Sequence, residues 1–393
     1  MKGNRMKRIV ITLLSIVSSQ LTAFGQGPLT PPGPPAPTMK TLDQVEARLI
    51  VNTTNAPGDG SNQFIISAPG SYYLTGNITG VSGKNGIAIN ADDVTLDLNG
   101  FALIGVGGSL RGIFVPSTHR NLRIHNGIAH NWGNTGMDCG NGINCQFDHL
   151  RISQSNGFLC GPGCVINSVS VDGNGSGGFT TGDHCTLAGC SATGNLTGFI
   201  LGSNCTIMAS TAVGNGGGGI SAGPYCTIIG CTATTNTGNG IITSSDCTIK
   251  DCTVSSNHSV GIYTAVRCLI VNCTANSNGN DGIYCDGHST VKLCNASSNT
   301  RSGIEAAGDC LISENQFNNN TLNGIYVSGS SNRVDSNHTN YNGGYGILSS
   351  GGDWVIRNTS GNNTSPNYFP TSGATIGPIQ SASTANNPFA NLQ

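Results

Sequence analysis

Two sets of residues in the second half of the chain place aromatic and ionisable side chains at a constant spacing. Positions two residues after a regularly spaced glycine hold Tyr263, Tyr284, Glu305 and Tyr326. Positions six residues after such a glycine hold Asp246, Arg267, His288 and Asp309. Exposed tyrosines can contact sugars through a large, rigid and amphipathic ring. A pair of carboxylates, here Asp286 and Glu305, is the usual apparatus of glycoside hydrolysis. The two sets therefore predict a carbohydrate site.

The roles within this site follow from the chemistry of each side chain. We expect catalysis from Asp286, Glu305 and His288, where the histidine could act as a base. We expect substrate binding from Tyr263, Tyr284, Tyr326, Arg267 and Asp309, where the guanidinium could neutralise an acidic sugar. The alternative is a solvated ladder of charges that opposes sideways aggregation, beside tyrosines that are simply favoured in strands. The sequence leaves both interpretations open.

The spacing itself comes from a long internal repeat. Its opening glycines are Gly86, Gly112, Gly136, Gly157, Gly178, Gly198, Gly219, Gly240, Gly261, Gly282, Gly303, Gly324 and Gly346. From Gly136 onward the intervals are 20 to 22 residues, and within each unit apolar and small polar residues alternate over short runs. Period-two runs broken by glycine, asparagine and serine predict three short strands per unit. The fold we expect is all-β, a right-handed parallel β-helix solenoid of thirteen or more rungs.

Asparagine forms a column in register with the glycines. The column contains Asn174, Asn195, Asn215, Asn236, Asn257, Asn278, Asn299 and Asn320. Amides stacked at a rung spacing can donate to and accept from one another along the rod. A fixed register is not expected of a loose surface loop, so we predict an inward asparagine ladder.

The 16 cysteines also fall into columns. The first contains Cys164, Cys185, Cys205, Cys226, Cys247, Cys268 and Cys310, and the second Cys190, Cys231, Cys252, Cys273 and Cys294. Ser289 and Ser210 interrupt these columns, so pairing between adjacent rungs leaves members without a partner. We expect mostly free thiols that fill small inward corner positions, with some disulfides between rungs as the alternative. We expect no metal, because a straight line of sulfur atoms does not converge on one point.

The amino-terminal residues indicate export. Residues 1–25 combine a basic start, an apolar run from Ile9 to Val17 and a small-residue end at Gly25, which is typical of a signal peptide cleaved near Gly25. Residues 26–40 are proline-rich and predict an extended linker. Residues 41–51 place Leu42, Val45, Leu49 and Ile50 on one face of a helix, which would cap the solenoid. We expect cap and entry strands over 41–85, repeats over 86–360 and a carboxyl-terminal cap or tail over 361–393.

Charge and hydropathy exclude several partners. Without the four basic residues of the signal peptide, 13 basic and 19 acidic residues remain, a formal charge of −6. The chain has no basic stripe for nucleic acid, and no later apolar run is long enough to span a bilayer. We expect a secreted, periplasmic or cell-surface protein that is a monomer.

Four segments resemble a known family. The stretch Val94-Thr-Leu-Asp-Leu-Asn-Gly100 resembles the entry rungs of secreted bacterial right-handed parallel β-helix repeat proteins of the pectate-lyase-like superfamily. The segments MKTLDQVEARL (39–49), APGSYYLTGNI (68–78) and NNPFANLQ (386–393) resemble uncharacterised exported bacterial proteins of this type. The resemblance covers nearly all of the mature chain and implies the fold. It leaves the activity open, because the superfamily contains lyases, hydrolases, epimerases, adhesins and structural rods.

The enzyme signatures of that superfamily are incomplete here. Asp286-Gly-His-Ser289 is a partial match to the Gly-His-Gly signature of polygalacturonase-like hydrolases, and their other two signatures are absent. Asp286, Asp309 and Arg267 come near the aspartate cluster and basic residue of calcium-dependent pectate lyases without forming the motif, so we expect no cofactor and see no support for Ca²⁺. Two hypotheses remain. The first is a protein that binds a polysaccharide or cell-surface glycan, as a lyase, a hydrolase or a binding protein. The second is a structural or adhesive surface rod without catalysis.

Overall fold

The structure, a computed structural model, describes residues 47–371 and 373–393. The predicted signal peptide and linker lie outside these residues, as do residues 41–46 of the predicted helix. At the described end of that segment Leu49–Ile50 is a strand that pairs in parallel with Tyr72 and Tyr73. The prediction of a helix was wrong for these two residues, because an open sheet edge offers backbone partners that a short isolated helix lacks. Within the described residues no helix has the length and apolarity needed to cross a membrane.

The chain winds into a parallel β-solenoid whose turns present three faces. The first face is a 15-stranded sheet in which each strand pairs with the strand one turn later. Its strands are Asn62–Ile66, Asn85–Ile89, Ile113–Phe114, Met137–Cys139, Phe158–Cys160, Gly177–Thr181, Thr197–Leu201, Ile220–Ala222, Ile241–Thr243, Ile262–Thr264, Ile283–Cys285, Ile304–Ala306, Ile325–Val327, Ile347–Ser349 and Tyr368–Pro370.

The second and third faces complete each turn. The second contains Leu49–Ile50, Gly70–Tyr73, Val94–Asp97, Val165–Asn167, Thr186–Ala188, Thr206–Met208, Thr227–Ile229, Thr248–Lys250, Leu269–Val271, Thr290–Lys292, Leu311–Ser313, Arg333–Asp335, Trp354–Ile356 and Thr375–Ile376. The third contains Ile78–Thr79, Ala102–Ile104, Ser170–Asp172, Ser191–Thr193, Thr211–Val213, Thr232–Thr234, Thr253–Ser255, Thr274–Asn276, His338–Asn340, Thr359–Gly361, Ile379–Gln380 and Asn391–Leu392. Arg123–His130 and Gln146–Ser153 run through the corner between these two faces, and His119–Arg120 pairs with Gly142–Ile143 nearby.

Alternation along the short strands separates the core from the surface. In the turn that begins at Gly240, the inward residues Ile241, Ile249 and Val254 are 0% exposed, whereas Lys250 points outward. Burying one branched side chain of this size stabilises the fold by about 1.5–3 kcal/mol. Repetition of this pattern in every turn gives one continuous core, as the period-two runs predicted.

Each turn bends where a residue adopts the left-handed conformation. In the same turn the bends are at Asp246, Asp251 and Ser256, with φ of 61°, 56° and 56°. Residues other than glycine adopt this conformation at a cost, and asparagine and aspartate do so most readily. The ladder predicted from Asp246, Arg267, His288 and Asp309 therefore occupies a bend of the backbone, and all four residues have positive φ.

The residue after a bend points inward, and in many turns it accepts a backbone hydrogen bond from the turn before. At the third corner the Asn236 backbone N–H donates to Asn257 Oδ1 at 3.1 Å, and Asn236 Nδ2 donates to the same oxygen at 2.9 Å. Asn257 in turn donates through Nδ2 to the carbonyl of Ala233 at 3.0 Å. Both asparagines are at most 1% exposed, which confirms the predicted inward ladder.

At the other two corners, cysteine side chains accept backbone hydrogen bonds as the asparagines do. The Cys226 backbone N–H donates to Cys247 Sγ at 3.3 Å, and Cys226 Sγ donates to the carbonyl of Gly202 at 3.1 Å. Where serine interrupts the column, its hydroxyl takes over, so that the Cys268 N–H donates to Ser289 Oγ at 3.1 Å. All 16 cysteines are buried, as expected, and none of them is in a disulfide in this structure. At several corners the small side chain is also a hydrogen-bond acceptor, which the sequence interpretation did not include.

The carboxyl-terminal tail closes the last turn. The Asn358 N–H donates to Asn391 Oδ1 at 3.0 Å, across 33 residues, and Asn391 Nδ2 donates to the carbonyl of Val355 at 2.9 Å. The Tyr368 hydroxyl oxygen lies 2.8 and 2.7 Å from the carbonyl oxygens of Asn358 and Leu392, so its single hydrogen is shared between these two acceptors. The tail thereby supplies the acceptor that a further turn would otherwise provide.

Candidate functional site

The tyrosine column lies on the outward side of the first face in the expected register. Tyr263 pairs with Tyr284, Tyr284 with Glu305, and Glu305 with Tyr326 on consecutive turns. The rings of Tyr263 and Tyr284 stack with centroids 4.8 Å apart and planes 5° apart. Because these two rings cover each other, a sugar cannot enter between them. The free face of the Tyr284 ring is the one turned towards the turn that carries Glu305.

Tyr284 also holds Asp286 at the edge of the column. Its hydroxyl donates to Asp286 Oδ1 at 3.3 Å. Burial, with the negative charge of Asp286 second, raises the pKa of Tyr284 to about 12. The phenol therefore stays protonated at neutral pH and acts as a hydrogen-bond donor.

Glu305 is bound by a residue that the sequence interpretation did not select. Arg301 Nη2 lies 3.3 Å from Glu305 Oε2, and Arg301 Nη1 lies 3.1 Å from Asp281 Oδ2. Asp281 is 1% exposed and also accepts the Ser302 backbone N–H at 2.9 Å. One half-exposed guanidinium thus bridges two carboxylates, one fully buried and one at the surface.

Both carboxylates hold their protons more tightly than usual. Burial raises the pKa of Asp281 against the lowering effects of its hydrogen bond from Ser302 and of the Arg301 charge. Burial, and then the charge of Asp281, raise the pKa of Glu305, whose side chain is 16% exposed. A carboxyl group with a raised pKa at a surface is suited to donate a proton, which is the role of a general acid.

The sequence gives only a partial signal for the contact between Asp281 and Arg301. Asp281 is the only acidic residue that directly precedes one of the repeat's opening glycines, Gly282. At this position other turns carry asparagine, and Asn239 and Asn323 accept the next turn's backbone N–H as Asp281 does. The position lies in the long turn between faces, where strand alternation does not give the direction of a side chain.

The predicted pair of carboxylates is arranged differently from the expectation. Asp286 accepts from Tyr284, whereas Glu305 is bound to Arg301 and is influenced by Asp281. Asp286 lies on the turn before Glu305 and two residues further along its strand direction. The structure therefore places Glu305 in one polar group with Asp281 and places Asp286 in another with Tyr284.

The charged column beside the tyrosines forms two separate contacts. Arg267 binds Asp246 through two hydrogen bonds of 2.7 and 2.8 Å, and this contact holds the pKa of Asp246 below its usual value. His288 Nδ1 lies 4.0 Å from Asp309 Oδ2, and the His288 side chain is 64% exposed. This arrangement has the form of the solvated charge ladder that was the alternative interpretation.

A second polar cluster lies on the early turns. Asp97, His125 and Asp148 occupy neighbouring positions on three consecutive turns of the second face. Asp97 and Asp148 are 14% and 19% exposed, and Arg123 reaches Asp148 with two hydrogen bonds of 3.2 Å. A cavity of about 210 Å³ adjoins the cluster and is lined by Asn121, Leu122, Arg123, Asn144 and Gln146. The longer early units thus carry a second group of ionisable side chains.

An exposed chain of hydrogen bonds closes one of these early bends. Ser117 Oγ lies 3.2 Å from His119 Nε2, and His119 Nδ1 lies 3.0 Å from Asp92 Oδ1. Asp92 also accepts the backbone N–H of Arg120 at 3.0 Å and is 51% exposed. These contacts fasten two successive turns to each other at the surface.

Comparisons with known proteins agree with this architecture. Residues 242–391 match a family model described as the right handed beta helix region, and residues 148–268 match one described as periplasmic copper-binding protein (NosD). A search of curated proteins returned no match. The right-handed parallel β-helix expected from the glycine spacing is confirmed.

Solved structures with a similar course of the chain include three carbohydrate enzymes. The A-module of mannuronan C-5 epimerase AlgE4 from Azotobacter vinelandii is 15% identical over 78% of this chain and 91% of that one, with a TM-score of 0.46. The periplasmic alginate epimerase AlgG is 11% identical over 84% of each chain, with a TM-score of 0.45. Pectate lyase Pel9A is 16% identical over 69% and 71%, with a TM-score of 0.36.

Proposed function

We propose that this chain is an exported protein that binds a polysaccharide along the outward column from Tyr263 to Tyr326. The observation that carries the proposal is the placement of Glu305 between two tyrosines of that column. Two turns of a parallel sheet separate Tyr284 from Tyr326 by about 9.6 Å, which leaves room for one flat ring-like group between them. A sugar in this gap would lie against the free face of the Tyr284 ring and over the Glu305 carboxyl group.

The groups around the gap suit an uncharged or acidic sugar. Arg301 is 46% exposed beside Glu305 and can donate to hydroxyl or carboxylate groups. Glu305, with its raised pKa, would donate a proton to a glycosidic oxygen if the bound chain is cleaved. Asp286 and His288 remain proposed catalytic partners, and Arg267 and Asp309 remain proposed contacts at the adjoining bend.

A second candidate function is a structural or adhesive rod. It is favoured by the constant intervals of 21 residues between Gly219 and Gly324, because units of this length leave no long loops to form the sides of a binding groove along the tyrosine column. It is also favoured by the exposed ladder of Arg267 with Asp246 and His288 with Asp309, which is suited to keeping rods apart. Such a rod would use its length and rigidity and would need no substrate.

A glycan-binding screen with matched variants separates the two functions. The protein is tested against neutral and acidic polysaccharides for binding and for released products, alongside Tyr284→Ala/Tyr326→Ala and Tyr341→Ala. Tyr341 is a tyrosine outside the column that is 61% exposed. Binding that is lost in the double variant and kept in Tyr341→Ala supports the proposed site. Binding kept in both variants contradicts the site, and absence of binding to any polysaccharide favours the rod.

A further inference from the structure

Three cysteine sulfur atoms converge at the first corner of the early regular turns. The Sγ atoms of Cys160, Cys164 and Cys185 all lie within 4.8 Å of one another. The three residues are 2%, 1% and 1% exposed. Cys164 and Cys185 are members of the first corner column, one turn apart, whereas Cys160 is the last residue of a first-face strand. Cys160 therefore converts a line of sulfur atoms into a triangle, which the column pattern alone did not predict.

Among the described residues the preceding turn also places a first-face cysteine, Cys139, before a buried cysteine, Cys145, but these sulfur atoms do not form a second close group of three. The residues equivalent to Cys160 on the following turns are Thr181, Leu201, Ala222, Thr243, Thr264 and Ala306. Cys285 stands in the equivalent position too, but its own turn carries Ser289 at the corner. Within residues 47–371 and 373–393 this is the one group of three side chains whose cysteine, histidine or carboxylate donor atoms come so close.

The loop over the triangle is thin. Cys160 and Cys164 are joined by Gly161-Pro162-Gly163, in which Pro162 is exposed. A Cβ atom at Gly161 would lie 2.3 Å from the carbonyl oxygen of Gly142, so that position has no room for a side chain, and Gly163 has a φ of +70°, which side chains rarely adopt. The backbone of this loop contacts the sulfur atoms, since Cys185 Sγ lies 3.3 Å from the carbonyl oxygen of Gly161 and Cys164 Sγ lies 3.7 Å from that of Pro162. The spacing C-x3-C lets one short segment supply two ligands, and the next turn supplies the third.

We propose that Cys160, Cys164 and Cys185 form a three-coordinate site for a soft monovalent cation, Cu(I). Three sulfur atoms at about 2.3 Å from one ion are roughly 4 Å apart, which fits the observed separation. Thiolate sulfur selects soft ions, and a zinc site would need a fourth ligand in a tetrahedral arrangement. The three sulfur atoms carry this inference, independently of the proposed glycan site. Each sulfur that binds the ion gives up its proton to solvent.

Competition for Cu(I) tests the site. The reduced full chain is titrated with Cu(I) without oxygen, in the presence of the chromophoric chelator bicinchoninate, and bound copper is counted. We expect one ion per chain to resist the chelator. Cys160→Ala should lose this ion and remain folded, because Ala222 and Ala306 occupy the equivalent position in other turns. Cys190→Ser should keep it, because Cys190 is a buried thiol whose next-turn neighbour is Ser210.

Circular dichroism of each variant checks that the fold is retained. X-ray absorption of the loaded protein should show three sulfur ligands around copper. The proposal is overturned if the wild type retains no ion against the chelator, if Cys160→Ala binds as the wild type does, or if Cys190→Ser loses the ion equally. Two sulfur ligands in the absorption spectrum would also contradict it.

Discussion

The buried carboxylate of Asp281 lies 3.1 Å from the guanidinium of Arg301. The same guanidinium reaches the surface carboxylate of Glu305 at 3.3 Å. Arg301 thereby links the interior of the solenoid to the outward tyrosine column. Since burial raises the pKa of both carboxyl groups, we expect each of them to take up its proton at a higher pH than an ordinary carboxyl group of its type.

Asp281→Asn is expected to keep the fold and to increase the free energy of unfolding at neutral pH. Asn239 and Asn323 accept the equivalent backbone N–H at 3.1 and 3.0 Å, so the substituted amide can preserve the bond from Ser302. Because the folded state raises the pKa of Asp281, the folded protein binds this proton more tightly than the unfolded chain. The ionised group therefore destabilises the fold above the raised pKa. Urea unfolding should show the advantage of Asp281→Asn shrinking as the pH falls.

The matched change for this prediction is Arg301→Gln, which keeps Asp281 and removes its positive partner. It should lower the stability at neutral pH and raise the pKa of Glu305 further, because Arg301 lowers the pKa of both carboxyl groups. A stability difference between wild type and Asp281→Asn that does not change with pH would contradict the assignment of a raised pKa to Asp281.

Cys247→Val and Cys247→Ser should differ in stability although both remove the sulfur. Serine keeps an acceptor for the Cys226 N–H, as Ser289 does for Cys268, whereas valine leaves that buried donor unpaired. An unpaired buried donor costs about 1–3 kcal/mol. Chemical unfolding should therefore show valine to be the more destabilising change by about that amount. Equal stabilities would mean that the corner requires only a small side chain.

Asn257→Ala should destabilise the solenoid by at least about 2 kcal/mol, since it removes several buried hydrogen bonds at once. It leaves the N–H and Nδ2 of Asn236 and the carbonyl of Ala233 without their partner. Thr237→Ala, one residue beyond the ladder on the exposed surface, is the control and should change the unfolding midpoint little. The comparison uses denaturant unfolding, and a similar loss in both variants would show that the ladder adds nothing specific.

Tyr284 should lose its proton at a higher pH than an ordinary tyrosine does. Its pKa is raised to about 12, so the stability that follows from burying the neutral phenol is present below about pH 10 and is lost as the pH rises through 12. Asp286→Asn should bring the pKa of Tyr284 down, though not to its usual 10.0, because burial remains the larger cause. Phenolate absorbance of each protein, with Tyr284→Phe subtracted, measures the shift. If the pKa of Tyr284 is the same in Asp286→Asn as in the wild type, Asp286 does not contribute to the raised pKa.

The sequence predicted the columns well because each of them is set by one spacing. The constant interval between glycines placed Tyr263 over Tyr284 and Tyr284 over Glu305, and it placed Asn236 over Asn257, as the strand register confirms. Relationships along one column need only the period of the repeat, which can be counted in the sequence.

Contacts between different columns were harder to predict from the sequence. The convergence of Cys160 on Cys164 depends on how sharply the chain turns through Gly161-Pro162-Gly163, and the link from Asp281 to Glu305 runs through a long turn. The stacking of Tyr263 on Tyr284, which closes the face expected to meet a sugar, depends on a side-chain rotation that spacing does not determine. Leu49–Ile50 was misassigned because its apolar pattern fits a helix, whereas its strand partners lie some 20 residues later, at Tyr72 and Tyr73.

The corner ladders give the solenoid a direction. In one ladder the backbone N–H groups of Asn315, Asn337 and Asn358 each find an acceptor on the following turn, and the last acceptor, Asn391, comes from the carboxyl-terminal tail. A further unit of 21 residues inserted in register would therefore find a donor before it and an acceptor after it, and would leave the terminal closure unchanged. The rod could lengthen by about 4.8 Å for each such duplication, so its length is free to vary while its two ends stay the same.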